Sequence, residues 1–559
     1  MDRRTFLTGA GGLTAAATLA PALLREGAAA ARLPSGAFRH GVASGDPLGD
    51  RVVLWTRVTP GPHAFPGSGQ GPNTTVTWQV ARDPQFSRVV RSGRVVTGAT
   101  RDHTVKVDAA GLQPGSRYWY RFRALGETSP VGRTRTATAG CPDVDSLRFG
   151  LVSCANYEGG FFRGYGHLAE RDDLDFVLHL GDYIYEYGTG EYGPGPEIDR
   201  THQPAHEIVS LADYRRRHAQ YKTDPDLAAL HRRNPFIITL DDHEVANDSH
   251  RAGAENHTPE TEGDYRDRRA RAMRAMLEWQ PIRPPSPGRL YRRLPQGDLA
   301  DIHLLDLRRY RDPQVATPTD PAIDDPTRTI TGDAQMGWLK NGLSRNGITW
   351  RFVANPVMIA PVDVPGLDGL PPGTADALAQ LTNSSAPVQG GAPYNVDQWD
   401  GYRADRAELL GHLDDQGIDN VVFLTGDIHS SWACDLPLDP ATYPASGSVA
   451  TELVGTSITS DNLDDITGSE PRTTSIAVEE AIKTANPHIK LLEFDSHGYS
   501  VVDVDADRVQ MDWYYLSDRT DPEATVSFAQ AWAVQAGANA VAPAAGALPA
   551  RDGALVGCA

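Results

Sequence analysis

The sequence is poor in cysteine, with Cys141, Cys154, Cys434 and Cys558 as the only four among 559 residues. No two of them form a Cys-x-x-Cys pair, which excludes a zinc-finger class of protein. Four cysteines in a chain of this length also fall short of a disulfide-stapled scaffold. The pairing of Cys141, Cys434 and Cys558 stays open at this point. The chain is long enough for at least two domains with a large apolar core.

Positive charge and long apolar segments are also scarce. The chain has 53 Lys and Arg against 72 Asp and Glu, which gives a net charge of −19. This balance argues against a general binder of nucleic acid or of anionic membranes, and no nucleic-acid-binding surface is evident. Beyond the N-terminus, no apolar run is long enough to span a membrane. A Gly-x-Ser-x-Gly elbow is absent, so a serine hydrolase is not supported.

The first 31 residues are predicted to be an export signal. Arg3 and Arg4 precede Thr-Phe-Leu and an apolar run of Ala, Gly and Leu, and residues 28–31 offer small side chains for cleavage. A twin arginine followed by Phe-Leu resembles a Tat signal, with an ordinary Sec signal as the alternative. We therefore expect the Tat export machinery as a partner. The mature chain is expected to be soluble and either secreted or associated with the cell envelope.

The remaining sequence is predicted to form two domains. Residues 35–140 contain short alternating strands with turn signals, which predicts a β-sandwich, and a Leu-x-Pro-Gly turn before Tyr-x-Tyr resembles a fibronectin-type module. Residues 147–530 alternate strands with helices and end in antiparallel strands, which favours an α/β domain with two sheets flanked by helices. Residues 362–395 are expected to be a loop over one face. The Ala-rich residues 533–559 are expected to be a loosely ordered tail.

Side chains suited to metal binding directly follow four apolar strands of the α/β domain. One such strand end is common, because Asp and Asn are frequent N-caps of a following helix. Four in one domain are harder to explain in that way, and open α/β sheets place ligands at the carboxyl ends of their strands. The four segments are Ser153-Cys-Ala-Asn156, Gly181-Asp-Tyr-Ile-Tyr185, Asp241-Asp-His-Glu244 and Gly426-Asp-Ile-His429.

The order of these segments resembles the ligand blocks of the metallophosphoesterase superfamily, which run D-x-H, G-D, G-N-H-E and G-H-x-H. This sequence departs from three of the blocks. Cys154 and Asn156 stand in place of Asp and His in the first, Asp242 stands in place of Asn before His243 in the third, and Asp427 stands in place of the first His in the fourth. These departures match the PhoD-like alkaline phosphatase family, as do the Tat signal and the segments 41–47, 306–311 and 399–402. The resemblance implies an α/β/β/α sandwich preceded by a small all-β domain. It also implies hydrolysis of phosphomonoesters and phosphodiesters.

A phosphate-ester site in so acidic a chain needs local positive charge, which bound metal supplies. The first ion is expected to bind Cys154, Asp182, Tyr185 and His429. Thiolate and phenolate together favour Fe(III), because zinc rarely takes tyrosine. The alternatives are that Cys154 is a small buried hydrophobe and that Tyr185 only packs in the sheet.

Asp182 is expected to bridge to a second ion. Asp242 and Asp427 complete that site, with Asn355 or Asn247 as an amide-oxygen ligand. A ligand set made almost wholly of oxygen favours Ca or Mn. The family resemblance, which implies iron together with calcium, agrees with this assignment.

The predicted reaction is an in-line displacement between two ions. A metal-bound hydroxide or oxide would attack phosphorus, with Asp182 fixing the separation of the ions. His243 would bind the phosphate and protonate the leaving alkoxide, and Glu244 would orient His243 or cap the following helix. Arg308 and Arg311 would either grip phosphate or form salt bridges with nearby carboxylates.

Three other functions remain possible from the sequence. A phospholipase D-like phosphodiesterase that acts on phospholipid headgroups is the nearest, and the loop at 362–395 could decide the choice. An inactive, exported protein that binds metal or phosphate is the second. A surface protein that uses residues 35–140 for adhesion is the third. The fold alone does not choose among them.

Overall fold

The computed structural model describes residues 36–551, apart from 142–143, 284–285, 287 and 366–389. The predicted export signal, Cys558 and most of the predicted loop lie outside the described residues. In the part that is described, Cys434 and Cys154 are buried free thiols. No helix among these residues is long and apolar enough to cross a membrane.

Strands and helices alternate through the α/β domain as the sequence pattern predicts. The strands, numbered along the chain, are β1 Val42–Leu48, β2 Arg51–Arg57, β3 Thr74–Ala81, β4 Val89–Thr97, β5 Thr104–Ala110, β6 Arg117–Ala124, β7 Glu127–Thr128, β8 Gly132–Arg135, β9 Ser146–Val152, β10 Phe176–His179, β11 Pro235–Ile238, β12 Arg292–Gln296, β13 Ala300–Leu304, β14 Trp350–Asn355, β15 Val421–Thr425, β16 Ser431–Leu436, β17 Ala450–Val454, β18 Ile489–Glu493, β19 Gly498–Asp505, β20 Arg508–Leu516, β21 Val526–Gln535 and β22 Val541–Pro543. The helices are α1 Arg163–Glu170, α2 Leu211–Lys222, α3 Pro225–Arg233, α4 Pro259–Glu262, α5 Tyr265–Trp279, α6 Asp333–Leu343, α7 Arg403–Gln416, α8 Leu463–Thr467 and α9 Ser475–Ala485.

Two sheets pack face to face at the centre of the molecule. Among the described residues, one sheet has ten strands in the order β22-β21-β20-β19-β9-β10-β11-β1-β2-β5, and the other has seven in the order β12-β13-β14-β15-β17-β16-β18. Phe149 of the first sheet and Phe352 of the second meet edge to face, with ring centroids 5.9 Å apart. Helices α1, α2, α3 and α5 cover the outer side of the first sheet, and α6, α7 and α9 cover that of the second. This α/β/β/α arrangement confirms the predicted fold class.

One layer of the N-terminal sandwich is part of the ten-stranded sheet. β1 pairs in parallel with β11, and β2 and β5 extend the sheet from β1. A Cβ on Gly45 would lie 2.6 Å from the carbonyl oxygen of Phe236, so this close approach requires glycine. The five strands β3, β4, β6, β7 and β8 form the second layer, which packs on the first. The local pattern predicted the strands but not their pairing with β11, and the domain boundary at 140 stays a prediction.

The expectation of a loosely ordered tail from 533 onward is wrong for the residues described there. β21 runs to Gln535 and pairs with β20, and β22 then pairs with β21 at the edge of the large sheet. Leu548 is buried against the core beneath the helices. Backbone pairing with β20 as far as Gln535, and with β21 at Val541–Pro543, holds this segment in the sheet, and the Ala-rich composition gives no sign of it.

Candidate metal centre

The side chains predicted to bind metal meet at the carboxyl ends of parallel strands. Cys154 follows β9, Asp182 follows β10, and Asp427 and His429 follow β15. All four residues have left-handed backbone conformations, with φ of 56°, 53°, 65° and 57° respectively. Residues other than glycine rarely adopt positive φ, and such strain collects at functional sites. The backbone therefore holds these four side chains at the strand ends at a conformational cost.

Among the residues that the structure describes, three overlapping groups of side chains could each hold a metal ion. Within each group the ligand atoms lie within 4.8 Å of one another. Asp182 belongs to two groups, and so does Asp242, which makes both carboxylates candidates for bridging. The groups are Cys154 with Asp182 and His429, Asp182 with Asp242 and His243, and Asp241 with Asp242 and Asp427.

The chemistry of this cluster fits bound cations. Asp182 Oδ1 and Asp241 Oδ2 are buried without a hydrogen-bond partner among the described residues. Burial, with repulsion from Asp242 and Asp241, raises the pKa of Asp182 well above its ordinary value. Burial also raises the pKa of the Asp427 carboxyl and of the Cys154 thiol. A metal ion would reverse these shifts, because it favours the deprotonated form of each ligand.

Tyr185 lies inside the first of these groups. Its hydroxyl donates to Asp182 Oδ2 at 3.2 Å and lies 3.4 Å from Nε2 of His429. Ser460 Oγ is 2.6 Å from the same phenol oxygen. Burial raises the pKa of Tyr185 well above its ordinary value. The structure thus brings together all four residues predicted for the first ion, and their role as ligands stays a prediction.

His429 is oriented by a residue that no sequence pattern marked. Its Nδ1 lies 2.9 Å from the carbonyl oxygen of Asp461. A carbonyl oxygen only accepts, so Nδ1 carries the proton and Nε2 presents a lone pair. Burial lowers the pKa of His429 to about 4 and so keeps the ring neutral. This is the arrangement in which metal-binding histidines are usually held.

The two candidate amide ligands of the second ion have other partners. Asn355 Oδ1 accepts a hydrogen bond from Trp399 Nε1 at 3.1 Å, and its Nδ2 donates to Thr425 Oγ1 at 3.3 Å. The amide oxygen keeps one lone pair for a metal. Asn247 donates its Nδ2 to Glu255 at 3.3 Å. Either residue as a ligand stays a prediction.

His243 is paired with Glu186, which sequence reasoning missed. Nδ1 of His243 lies 2.7 Å from Glu186 Oε2, and Glu186 also accepts from the backbone N–H of Asn247 at 2.6 Å and from Asn256 Nδ2 at 3.0 Å. Burial alone would lower the pKa of His243, but Asp242 and Glu186 outweigh it and raise that pKa well above its usual range. The only available signal was the position of Glu186 next to Tyr185.

Glu244 has a supporting role through the backbone, and no hydrogen bond joins it to His243 among the described residues. Its bond from the N–H of Asp241, three residues earlier, is the kind that a capping box makes. Glu244 accepts from the backbone N–H groups of Asp241 at 2.7 Å, Tyr183 at 2.7 Å and Asp182 at 3.3 Å. It therefore ties the loop after β11 to the loop after β10, and Glu186 takes the role proposed for it at His243.

Arg308 forms salt bridges with the carboxylates of the site. It contacts Asp241 through Nε, Asp397 at 2.7 Å, Asp427 at 3.2 Å and Asp242 at 3.6 Å. The guanidinium is almost fully buried, and these carboxylates raise its pKa well above its ordinary value despite the burial. Of the two sequence-based alternatives, the structure shows the salt bridges. Arg308 thus supplies fixed positive charge beside the candidate ligands.

Two carboxylates are shared between candidate ion sites, and a histidine held by a further carboxylate lies beside them. This arrangement is suited to phosphoryl displacement. The fold and the site together define a phosphoric ester hydrolase. The family model described as PhoD-like phosphatase matches residues 149–513, and the one described as PhoD-like phosphatase, N-terminal domain, matches residues 24–138. The chain belongs to the PhoD-like phosphatase family.

Individual relatives agree with this assignment. The chain is 37% identical over 543 residues to alkaline phosphatase D of Bacillus subtilis (strain 168), which covers 94% of this chain and 86% of the relative. A solved structure described as that of PhoD superimposes with a TM-score of 0.79 at 35% identity, covering 92% of this chain and 93% of the other. The fold similarity therefore extends over both predicted domains.

Proposed function

We propose that this phosphoesterase is an exported, metal-dependent alkaline phosphatase that cleaves phosphomonoesters and phosphodiesters. The observation that carries the proposal is the sharing of Asp182 and Asp242 among three ligand groups at the strand ends. The Tat signal predicted at residues 1–31 supports export, to the medium or the cell envelope.

The donor sets support Fe(III) at Cys154, Asp182, Tyr185 and His429. Carboxylates that include Asp242 and Asp427 support Ca or Mn beside it. When bound, the ions would supply positive charge that holds the phosphoryl oxygens and stabilises the transition state. The chain itself supplies the ligands, the bridge and the proton donor.

Proton transfer is assigned to His243. The hydrogen bond from Nδ1 to Glu186 at 2.7 Å fixes the ring, so that Nε2 is free to donate to the leaving oxygen. The tilt of the ring is also set by Tyr185, whose ring stacks on it with centroids 4.1 Å apart. Glu186 therefore acts through His243 as a positioning residue, because it holds the imidazole without being placed at the substrate.

Replacing Tyr185 by phenylalanine is expected to remove a visible absorption band from the purified protein. A phenolate bound to Fe(III) gives a charge-transfer transition, and phenylalanine has no oxygen to replace it. Absorption spectra and elemental analysis of both proteins provide the measurement. Tyr187→Phe, two residues along the chain, is the matched control and should keep the band. A protein that contains two zinc ions and no iron would contradict the metal assignment.

Removal of the ions is expected to make thermal stability depend more strongly on pH. Burial raises the pKa of Glu244 and of Asp248 to about 7 in the ion-free site. Such carboxyls favour the folded state when protonated, so these two groups lower the stability of the ion-free protein as the pH rises from about 4 to 7. The loaded protein should lose less, because its carboxylates are paired with cations. Scanning calorimetry with and without chelator measures the Tm of both forms. The difference in Tm between the loaded and the ion-free protein should widen toward pH 7.

Three substrates test the function directly. We expect turnover of p-nitrophenyl phosphate and of bis-p-nitrophenyl phosphate, and little of phosphatidylcholine. Hydrolysis of both diesters without the monoester would instead establish the phospholipase D-like alternative. Intact, metal-loaded protein that turns over none of the three would favour the inactive binding protein. The His243–Glu186 pair argues against that class, since binding alone does not need an oriented proton donor.

A further inference from the structure

The outer face of the five-stranded sheet is basic, in contrast to the rest of the chain. Four of its five strands, β3, β4, β6 and β8, contain no Asp or Glu, although the whole chain has 72 acidic against 53 basic residues. The fifth strand, β7, contains Glu127, whose carboxylate accepts from the backbone N–H of Ala37. The other four strands contain seven arginines: Arg91, Arg94, Arg117, Arg121, Arg123, Arg133 and Arg135. The last two form ion pairs with Asp172 and Asp175, but the others have no carboxylate partner among the described residues.

The strand register places two of the free arginines in one row. Thr77 pairs with Arg94 on one side and with Arg123 on the other. Because Val76 and Phe122 point into the core, these three residues point outward. The two arginines are then about 10 Å apart, two strand spacings. Both side chains are exposed, so the row presents two positive charges to solvent.

Exposed apolar side chains lie beside these arginines. The exposed fractions are 58% for Val96, two residues after Arg94, and 53% for Leu125, two residues after Arg123. Leu125 occupies the tight turn between β6 and β7 with φ of 54°, followed by Gly126 with φ of 78°. That turn position favours Asn, Asp or Gly, and leucine is strained there. Neither solubility nor local conformation explains an exposed leucine at this tip.

We propose that this face, formed by Arg94, Arg121, Arg123, Val96 and Leu125, binds an anionic phospholipid bilayer. Basic side chains would contact the lipid phosphates, and the apolar residues at the end of the sheet would enter the headgroup boundary. The net charge of −19 does not prevent this, because charges more than about 10 Å away are largely screened at 0.1 M salt. A soluble polyanion would bind the arginines but would make no use of the exposed Leu125 and Val96, so these two side chains favour a bilayer.

Vesicle sedimentation of the full mature protein tests the proposal. We expect binding to vesicles of equimolar phosphatidylcholine and phosphatidylglycerol, weakening with salt, and none to phosphatidylcholine alone. Each arginine near an anionic surface changes partitioning about fivefold, so Arg94→Glu with Arg123→Glu should weaken it at least about 25-fold. The matched control is Arg216→Glu with Arg232→Glu, at exposed helical arginines of the α/β domain that lack a carboxylate partner among the described residues. Equal loss in the control pair would overturn the proposal.

A second variant separates lipid binding from folding. Leu125→Asn suits the left-handed turn, so it should keep or raise Tm while weakening vesicle binding roughly tenfold. Turnover of p-nitrophenyl phosphate in solution should not change in any of these variants. If Leu125→Asn binds vesicles as well as the parent, or if the parent binds dextran sulfate but not the mixed vesicles, the bilayer proposal is wrong. Failure of this test would leave the catalytic proposal untouched, since its readout is separate.

Discussion

Replacing Asp182 by asparagine is expected to lower turnover of p-nitrophenyl phosphate by at least about a thousandfold. Asp182 is shared by two candidate ion sites, and its Oδ1 is buried with no hydrogen-bond partner in the part of the chain that the structure describes. A bridging ligand must offer an oxygen to each ion, whereas asparagine offers one neutral oxygen and an NH₂ group that repels cations. Loss of metal-ion charge stabilisation removes several kcal/mol, and about 1.4 kcal/mol is a factor of ten in rate.

Elemental analysis of the Asp182→Asn protein gives an independent measurement. We expect fewer bound ions per chain than in the parent protein, because both neighbouring groups lose a carboxylate. Asp226→Asn is the matched control, since Asp226 is a partly buried carboxylate that pairs with Arg163 away from the site. That variant should keep the full metal content and nearly full activity. An Asp182→Asn protein with unchanged metal content would show that Asp182 is not the bridge.

The candidate ligands could be predicted because each lies at a point where local sequence decides the geometry. An apolar run predicts β10 and the residue at which it ends. The side chain of Asp182 is therefore expected at the carboxyl end of the strand. The same reasoning located Cys154 after β9 and Asp427 after β15. It did not reveal that their backbones would be left-handed, because positive φ is rare for cysteine and, although enriched for aspartate, is still a minority conformation of that residue.

The partners of those ligands could not be predicted, because tertiary packing selects them. Glu186 reaches His243 across 57 positions of sequence, and Asp461 reaches His429 across 32. Arg308 was recognised as a candidate for either phosphate binding or salt bridges, and only the packing of the segment after β13 against the ends of β11 and β15 decided for the salt bridges. Pattern reasoning therefore located side chains on strands but not the contacts between strands.

Pairing between distant segments was also invisible in the sequence. The alternation of β1 and β2 predicted half-buried strands, but not that β1 would join the sheet of the α/β domain through β11. The chain ends in a similar way, with β21 and β22 added at the opposite edge. One ten-stranded sheet thus joins the N-terminal segment to the catalytic core. Removing residues 35–140 would expose the edge of β11 and is not a neutral truncation.

His243→Ala is expected to slow hydrolysis of alkyl phosphates by roughly 10²–10⁴-fold, the usual contribution of a general acid. It should slow hydrolysis of 2,4-dinitrophenyl phosphate far less, because dinitrophenolate leaves without a proton. Glu186→Gln should show the same selectivity with a smaller loss, since glutamine can still accept from Nδ1 but no longer stabilises the protonated ring. Steady-state rates on both substrates give the measurement.

The choice of leaving group separates proton donation from metal binding at His243. A histidine that served as a ligand would, on replacement, lower the rates for both substrates equally and reduce the metal content. Glu207→Gln is the matched control, because Glu207 is a partly buried glutamate whose partner is Arg268. It should leave the ratio of the two rates unchanged. Equal losses on both substrates in His243→Ala, with fewer ions bound, would move His243 from proton donor to ligand and leave Glu186 as the residue that orients that ligand.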